Sequence, residues 1–338
     1  MKKPTLTMHA MVLEKYNEEL EFRVMSRPTP GKGQVLVKVM ASGLNPLDLK
    51  VMAGKAAHAR VTLPAILGID GAGIVEEVGE GVTDFKPLDE VYGMMGGIGG
   101  HPGTLAEYVV ADADLLARKP QNLSMKEAAA LPLVFITAWE GLVDRAKVRA
   151  GQKVLIHGGS GGVGHIAVQI AKAFGAEVFA TGSAKGLSYL ATLNAEGIDY
   201  TTKTPEEYLK QYTDSEGFDI VFDTIGGETL DNSFKSIRPY HGHVVSALGW
   251  GTHSIAPLSF RGATYSGIFT LLPLLTGKGR QHHGKILQEA TKLVEAGKIK
   301  PLIHPEKFSL VDANRAYRVM ESRKSLGKVV VGIRESIL

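Results

Sequence analysis

The stretch Gln34-Val35-Leu36-Val37-Lys38-Val39-Met40 follows the apolar and polar alternation of a half-buried strand. Further strand patterns stand at 68–79, 89–93 and 106–110, each broken by glycine or proline. Residues 1 to about 120 therefore predict an antiparallel, β-barrel-like domain. The texture changes near residue 125. Ser124-Met125-Lys126-Glu127 is a capping box, and it predicts a helix running to Arg145. Strands are then predicted at 153–157, 177–181, 218–223, 243–248 and 263–268. Helices at 163–174, 185–194, 205–213 and 228–237 alternate with them. Such alternation predicts a doubly wound parallel sheet. After residue 275 come helices at 281–296 and 311–322 and a strand at 327–333. The expected organisation is a discontinuous β-rich domain, 1–125 and 275–338, with a doubly wound domain, 126–274, inserted into it.

Composition narrows the function classes. The chain has 338 residues, enough for two domains with cores of their own. A net charge of +3 is too small to predict nucleic-acid or membrane binding. With no cysteine, disulfides, thiolate metal sites and cysteine nucleophiles are excluded. No apolar run reaches the roughly 18 residues of a membrane span. Met1-Lys2-Lys3-Pro4 is not followed by an apolar signal-peptide core, so a cytoplasmic location is expected.

The strongest chemical signal is Lys153-Val154-Leu155-Ile156-His157-Gly158-Gly159-Ser160-Gly161-Gly162-Val163-Gly164. A strand pattern enters it and a helical pattern leaves it. Gly159, Gly161 and Gly164 fit G-x-G-x-x-G, for a tight turn, close backbone approach to a pyrophosphate, and close helix–strand packing. The phosphates are then expected at the helix N-terminus, beside Ser160, Gly162 and Val163. An NAD site ordinarily carries an acid about 20 residues further on, for the ribose 2′-hydroxyl. Here Glu177-Val178-Phe179-Ala180-Thr181 leads into Gly182-Ser183-Ala184-Lys185, with a hydroxyl and a cation instead. Ser183 and Lys185 suit a 2′-phosphate, so the expected cofactor is NADPH.

Two further segments are Ala41-Ser42-Gly43-Leu44-Asn45-Pro46-Leu47-Asp48-Leu49-Lys50 and Pro64-Ala65-Ile66-Leu67-Gly68-Ile69-Asp70-Gly71-Ala72-Gly73. With the glycine loop and the closing Gly327-Lys328-Val329-Val330, they carry a resemblance over nearly the whole chain. The chain resembles the medium-chain dehydrogenase/reductase superfamily, in its zinc-independent quinone oxidoreductase (zeta-crystallin-like) branch. The resemblance implies a Rossmann domain inserted into a GroES-like β-barrel catalytic domain. It implies cofactor contacts at Thr137, Tyr200, Ser246, Leu248, Ile268, Phe269, Lys328 and Asn45. Zinc alcohol dehydrogenases have a cysteine ligand where Asn45 stands, and Gly-His-Glu where Gly68-Ile69-Asp70 stands. No metal site is therefore expected, and neither His101 nor the surface-like pair His282-His283 is expected to supply one.

Without a Lewis acid, hydride transfer needs an acceptor that is already activated. The expected activity is NADPH-dependent reduction of quinones or of the C=C bond of α,β-unsaturated ketones. Asn45 is the candidate catalytic donor to the carbonyl oxygen, with helix capping before Pro46 as its competing role. Met94, Met95, Trp250, Ile268, Phe269 and Leu272 are candidate pocket residues for a small apolar substrate. Two alternatives stand beside this. One is an enoyl-thioester reductase, with Lys278, Arg280 and His282-His283 as its phosphate cluster; the other is a non-catalytic NADPH-binding structural or nucleic-acid-binding protein. Relatives imply a homodimer or homotetramer, with the strand near 263–268 as the pairing edge.

Overall fold

The computed structural model describes residues 6–322 and 325–334, and residues 1–4, considered above for targeting, lie outside them. The chain forms two compact units. One comprises Met1–Leu133, Leu271–Gly297 and Pro301–Leu338; the other comprises Val134–Thr270 and Lys298–Lys300.

The first unit opens with strands β1 (Thr7–Leu13), β2 (Glu21–Ser26) and β3 (Gln34–Gly43). Helix α1 (Pro46–Met52) and strands β4 (Ala65–Ile66), β5 (Asp70–Val78), β6 (Glu90–Met94), β7 (Tyr108–Asp112) and β8 (Leu116–Arg118) follow. The hairpin β1–β2 was not expected. Glu21-Phe22-Arg23-Val24 does alternate polar and apolar, but the run is short and all six residues of β2 are exposed. β3 is buried along most of its length and pairs antiparallel with both β5 and β7.

Helices α2 (Met125–Ala129) and α3 (Pro132–Trp139) come next. The capping box forms as expected: the Ser124 hydroxyl accepts from the Glu127 N–H, and the Glu127 carboxylate accepts from the Ser124 N–H. The single helix expected from 125 to 145 does not form. Pro132 has no N–H, and its ring opposes a continuous helix, so the chain restarts there. Residues Glu140–Arg145 then widen into a π-helical turn.

The second unit alternates strand and helix: β9 (Lys153–His157), α4 (Gly162–Ala173), β10 (Glu177–Gly182), α5 (Ala184–Thr192), β11 (Glu196–Asp199), α6 (Pro205–Thr213), β12 (Ile220–Asp223), α7 (Glu228–Ser236), β13 (His243–Ser246), α8 (Ala256–Arg261) and β14 (Thr264–Gly267). The sheet is parallel, in the order β11-β10-β9-β12-β13-β14. Counted from β9 this is 3-2-1-4-5-6, the doubly wound order, which reverses direction between β9 and β12. β11 escaped the sequence reading because Glu196-Gly197-Ile198-Asp199 carries one apolar side chain in four. The core joins Leu155, Phe179, Val221 and Val244 of the sheet to Tyr208, Leu230 and Phe234 of the helices.

The chain ends in the first unit with α9 (Leu272–Thr276), α10 (Arg280–Glu295), β15 (Phe308–Ser309), α11 (Ala313–Glu321) and β16 (Val330–Gly332). β16 pairs antiparallel with β3, matching Val331 to Ser42. Its sheet runs β15-β16-β3-β5-β6-β8. The fold is thus a mixed α/β structure, with a Rossmann-type parallel sheet in one unit and an antiparallel β-barrel-like unit around it in sequence.

Candidate active site

In the second unit, β9 ends at His157 and the glycine turn begins. Gly158 takes a left-handed φ of +71°, so the tight turn is made one residue before Gly159. Gly159 is needed for a different reason. A Cβ there would lie 2.5 Å from the Cβ of Ala180, so it lets the turn pack on β10. A Cβ at Gly164 would lie 2.1 Å from the Gly158 carbonyl oxygen, which is the close helix–strand approach expected of the third glycine. Gly161 differs from both. It is exposed, it caps α4, and a Cβ there would meet only the Gly158 carbonyl oxygen, at 3.2 Å. The backbone is open to a ligand at that point. The first-turn N–H groups of α4, at Gly162, Val163 and Gly164, have no intrahelical acceptor, and the helix dipole favours an anion beside them.

The turn is fastened to β10 through Thr181. Its hydroxyl accepts from the Gly158 N–H at 3.1 Å, and its carbonyl accepts from the Gly159 N–H at 2.9 Å. The same hydroxyl lies 3.3 Å from His157 Nδ1. Burial pushes the His157 imidazole down to about 4, so it is neutral near pH 7. Ser183 stands at the N-terminal boundary of α5 without a side-chain capping bond, and both Ser183 and Lys185 are exposed there. The carboxylate at the end of the neighbouring strand, Asp199, is turned onto its own loop, where it accepts from the N–H and hydroxyl of Thr201. Tyr200, next to it, is 62% exposed.

The carboxyl ends of β12 and β13 are joined by a carboxylate that sequence reasoning missed. Asp223 is fully buried and accepts from the Ile225 and Gly226 N–H groups and from the Ser246 hydroxyl at 2.7 Å. Ser246 in turn accepts from the Leu248 N–H. The available signal was a single acid closing the apolar run Ile220-Val221-Phe222. Thr137 meets Thr270, with their hydroxyls 2.9 Å apart and both side chains buried. Ile268 is buried, and Phe269 packs edge-on against Trp250.

In the first unit, a buried polar cluster gathers around Asn45. Lys328 Nζ donates to Asn45 Oδ1 at 2.5 Å and to the Leu44 carbonyl at 2.8 Å, and lies 3.5 Å from Asp70 Oδ2. Asn45 Nδ2 donates to Asp70 Oδ2 at 3.0 Å and to the Gly43 carbonyl at 3.4 Å. Asp70 Oδ1 accepts from the Leu133 N–H, and Asp48 accepts from the Asn45 N–H, both at 2.9 Å. Burial raises the carboxyls, Asp48 to about 7, and lowers the Lys328 ammonium. Tyr317 is buried beside Asp48, and its hydroxyl is raised by burial first and by that carboxylate second.

This geometry changes several expectations. Asn45 is 1% exposed, with its amide nitrogen donating to Asp70 and its oxygen accepting from Lys328, contacts that hold its own loop. Lys328 is likewise buried, with its ammonium donating to Asn45 and to the Leu44 carbonyl inside the first unit. Met94 and Met95 are fully buried and belong to the core rather than to a pocket wall. His283 is buried, and only His282 of that pair is exposed. Arg280 is committed to Asp112 at 2.6 Å and to the Pro273 carbonyl. The acids Asp48, Asp70 and Asp223 went unread because a lone carboxylate in an apolar run gives no period.

Among the described residues, no group of three or more His, Cys, Asp or Glu is placed to hold a metal, and no helix is long and apolar enough to cross a membrane.

Comparison with known proteins fits this geometry. Residues 31–121 match the alcohol dehydrogenase GroES-like domain, and residues 194–331 match the family described as zinc-binding dehydrogenase. The NADPH-dependent alkenal/one oxidoreductase, chloroplastic, of Arabidopsis thaliana is 36% identical over 312 residues, covering 90% of this chain and 73% of the relative. An alcohol dehydrogenase superfamily protein from Novosphingobium aromaticivorans superposes with a TM-score of 0.95 at 51% identity, covering 97% of this chain and 100% of that one. The quinone oxidoreductase from Coxiella burnetii superposes with a TM-score of 0.82 at 30% identity, covering 97% and 100%. The glycine turn, the 3-2-1-4-5-6 sheet and these likenesses agree. The chain belongs to the medium-chain dehydrogenase/reductase superfamily of nicotinamide-dependent oxidoreductases, in the quinone oxidoreductase (zeta-crystallin-like) branch.

Proposed function

We propose that this protein is an NADPH-dependent reductase of C=C bonds conjugated to a carbonyl, and of quinones, acting without bound zinc. The observation that carries the cofactor choice is the first turn of α5. Ser183 and Lys185 are exposed there, and the nearby Asp199 carboxylate is occupied by Thr201. A 2′-phosphate is favoured by a cation and a hydroxyl at a helix N-terminus, where a ribose 2′-hydroxyl prefers a carboxylate. The names of the alkenal/one and quinone oxidoreductase relatives support the acceptor class.

The residues at the former ligand positions do not suit zinc. Ile69 offers no donor atom, and the Lys328 ammonium already neighbours the oxygens of Asn45 and Asp70. A second cation among those oxygens is opposed by charge repulsion. NADPH, when bound, supplies the hydride, which adds to the β-carbon of the acceptor. Water supplies the proton at the α-carbon. The protein's own contribution is placement: the open backbone at Gly161 for the pyrophosphate, and the buried Thr137–Thr270 hydroxyl pair for the nicotinamide amide. The commitment of Arg280 to Asp112 leaves Lys278 as the exposed lysine of the cluster on which the thioester alternative depends.

Two further parts of the reading are a cytoplasmic location, which the absence of cysteine suits, and a homodimer. β14 ends its sheet, and its residues Thr264-Tyr265-Ser266-Gly267 carry no charge or proline to guard the edge. The test is NADPH oxidation followed against a panel of quinones, enones and aldehydes, with NADH in parallel and with and without chelator. Chelator-insensitive turnover of an enone or quinone, faster with NADPH, is expected. Turnover confined to aldehydes, or lost with chelator, would overturn the reading.

A further inference from the structure

We propose that Gly186 is a positioning residue for cofactor selection, because it lets α5 dock on the phosphate-binding turn. Glycine inside a helix is unfavourable relative to alanine, so its place in the first turn of α5 calls for a reason. Gly186 is buried, and a Cβ on it would lie 2.4 Å from Ser160 Oγ and 2.9 Å from Ser160 Cβ. Rotating the hydroxyl away would still leave the second clash. Ser160 therefore occupies the space a side chain would take. One turn further along α5, Leu190 is buried against the same loop, with its Cδ2 3.1 Å from where a Cβ on Gly159 would be. Gly186 and Leu190 are four residues apart and share a helix face. That face meets Gly159 and Ser160 as one contact.

The consequence is a fixed spacing. The turn at 158–164 offers its backbone to a pyrophosphate, and the first turn of α5 carries Ser183 and Lys185. Both pyrophosphate and 2′-substituent belong to one nucleotide, so the distance between their sites matters to NADPH more than to NADH. This inference rests on the 2′-phosphate reading given above. A Cβ on Gly186 would force α5 away from Ser160 and spoil that spacing.

The test is a double-mutant cycle with wild type, Gly186→Ala, Ser160→Gly and the double variant. Dissociation constants for NADPH and NADH are measured by nucleotide fluorescence, and melting temperatures on the cofactor-free proteins. Gly186→Ala should raise the NADPH constant on the order of tenfold, the loss of about one charge-assisted contact, and the NADH constant much less. With Ser160→Gly in place, the same alanine should leave the NADPH-to-NADH ratio unchanged and raise the melting temperature, since alanine favours the helix once the clash is gone. An unmoved ratio in folded Gly186→Ala overturns the inference, as does the same rise of the ratio in both backgrounds. If Gly186→Ala does not fold, rescue by Ser160→Gly supports the inference and failure of rescue overturns it. A wild-type protein that binds both nucleotides alike would instead bring down the 2′-phosphate reading, and the inference with it.

Discussion

Lys328 Nζ sits 2.5 Å from Asn45 Oδ1, and that contact orients the amide so that its nitrogen faces Asp70. The pair brings together residues 283 positions apart in sequence. It ties the entry to α1, through Leu44 and Asn45, to the segment just before β16, and Asp70 extends the tie through β5 to the Leu133 N–H. The buried Lys328 ammonium, the Asp70 carboxylate and the Asn45 amide satisfy one another, while Asp48 accepts from the Asn45 backbone N–H.

Lys328→Met tests the weight of that knot. The variant leaves Asn45 Oδ1 and the Asp70 carboxylate buried without their cation. Breaking a buried pair from one side ordinarily costs about 3–5 kcal/mol, and denaturant unfolding should show a loss of that size. A loss near that of an exposed pair, below about 1 kcal/mol, would mean that Asp70 is held protonated.

Asp48→Asn addresses pH. Burial raises the Asp48 carboxyl to about 7, against roughly 3.9 in an unfolded chain. Between these values the folded state keeps a proton that the unfolded state has released. Stability from this group is therefore full below about pH 4, falls as pH rises toward 7, and levels off above. Asp70, Lys328 and Tyr317 surround it, and asparagine keeps an oxygen for the Asn45 N–H. Unfolding free energies from pH 4 to 8 should fall more steeply in the wild type than in the variant. Parallel curves would show that Asp48 titrates as an ordinary carboxylate.

Gly161→Ala and Gly164→Ala should fail in different ways. At Gly161 the only near atom is 3.2 Å away and φ is −77°, so alanine fits the fold but intrudes on the ligand's approach. Its unfolding free energy should move by less than about 0.5 kcal/mol while nucleotide binding weakens at least tenfold, by roughly 1.4 kcal/mol. At Gly164 a Cβ would meet backbone at 2.1 Å, and overpacking of that kind costs about 1–3 kcal/mol. Calorimetry and nucleotide titration on both variants separate the two; equal effects would remove the distinction.

Lys185→Ala should weaken NADPH binding on the order of tenfold, the scale of one charge-assisted contact, with NADH little changed. The effect should shrink with added salt, since Lys185 is exposed. Equal losses for the two nucleotides would assign Lys185 no part in holding a 2′-phosphate.

Much of the second unit was legible beforehand. The α6 bounds agree at both ends, and the strand before the glycine turn agrees as well, because alternating apolar runs and glycine turns state their period locally. The same reasoning missed β2, whose alternation spans only a few residues, and β11, which has a single apolar side chain, and it ran a helix through Pro132.

Local sequence was enough for the strand–turn–helix at the glycine turn and for the family. Three glycines at fixed spacing between a strand and a helix are a local fact. Only the tertiary structure decided what the polar residues do. It buried Asn45 against Lys328, turned Asp199 onto Thr201, spent Arg280 on Asp112, and laid Gly186 against Ser160. The physical reason is that a hydrogen bond or an ion pair is set by which distant residues the fold brings within about 3 Å, and no local period records that.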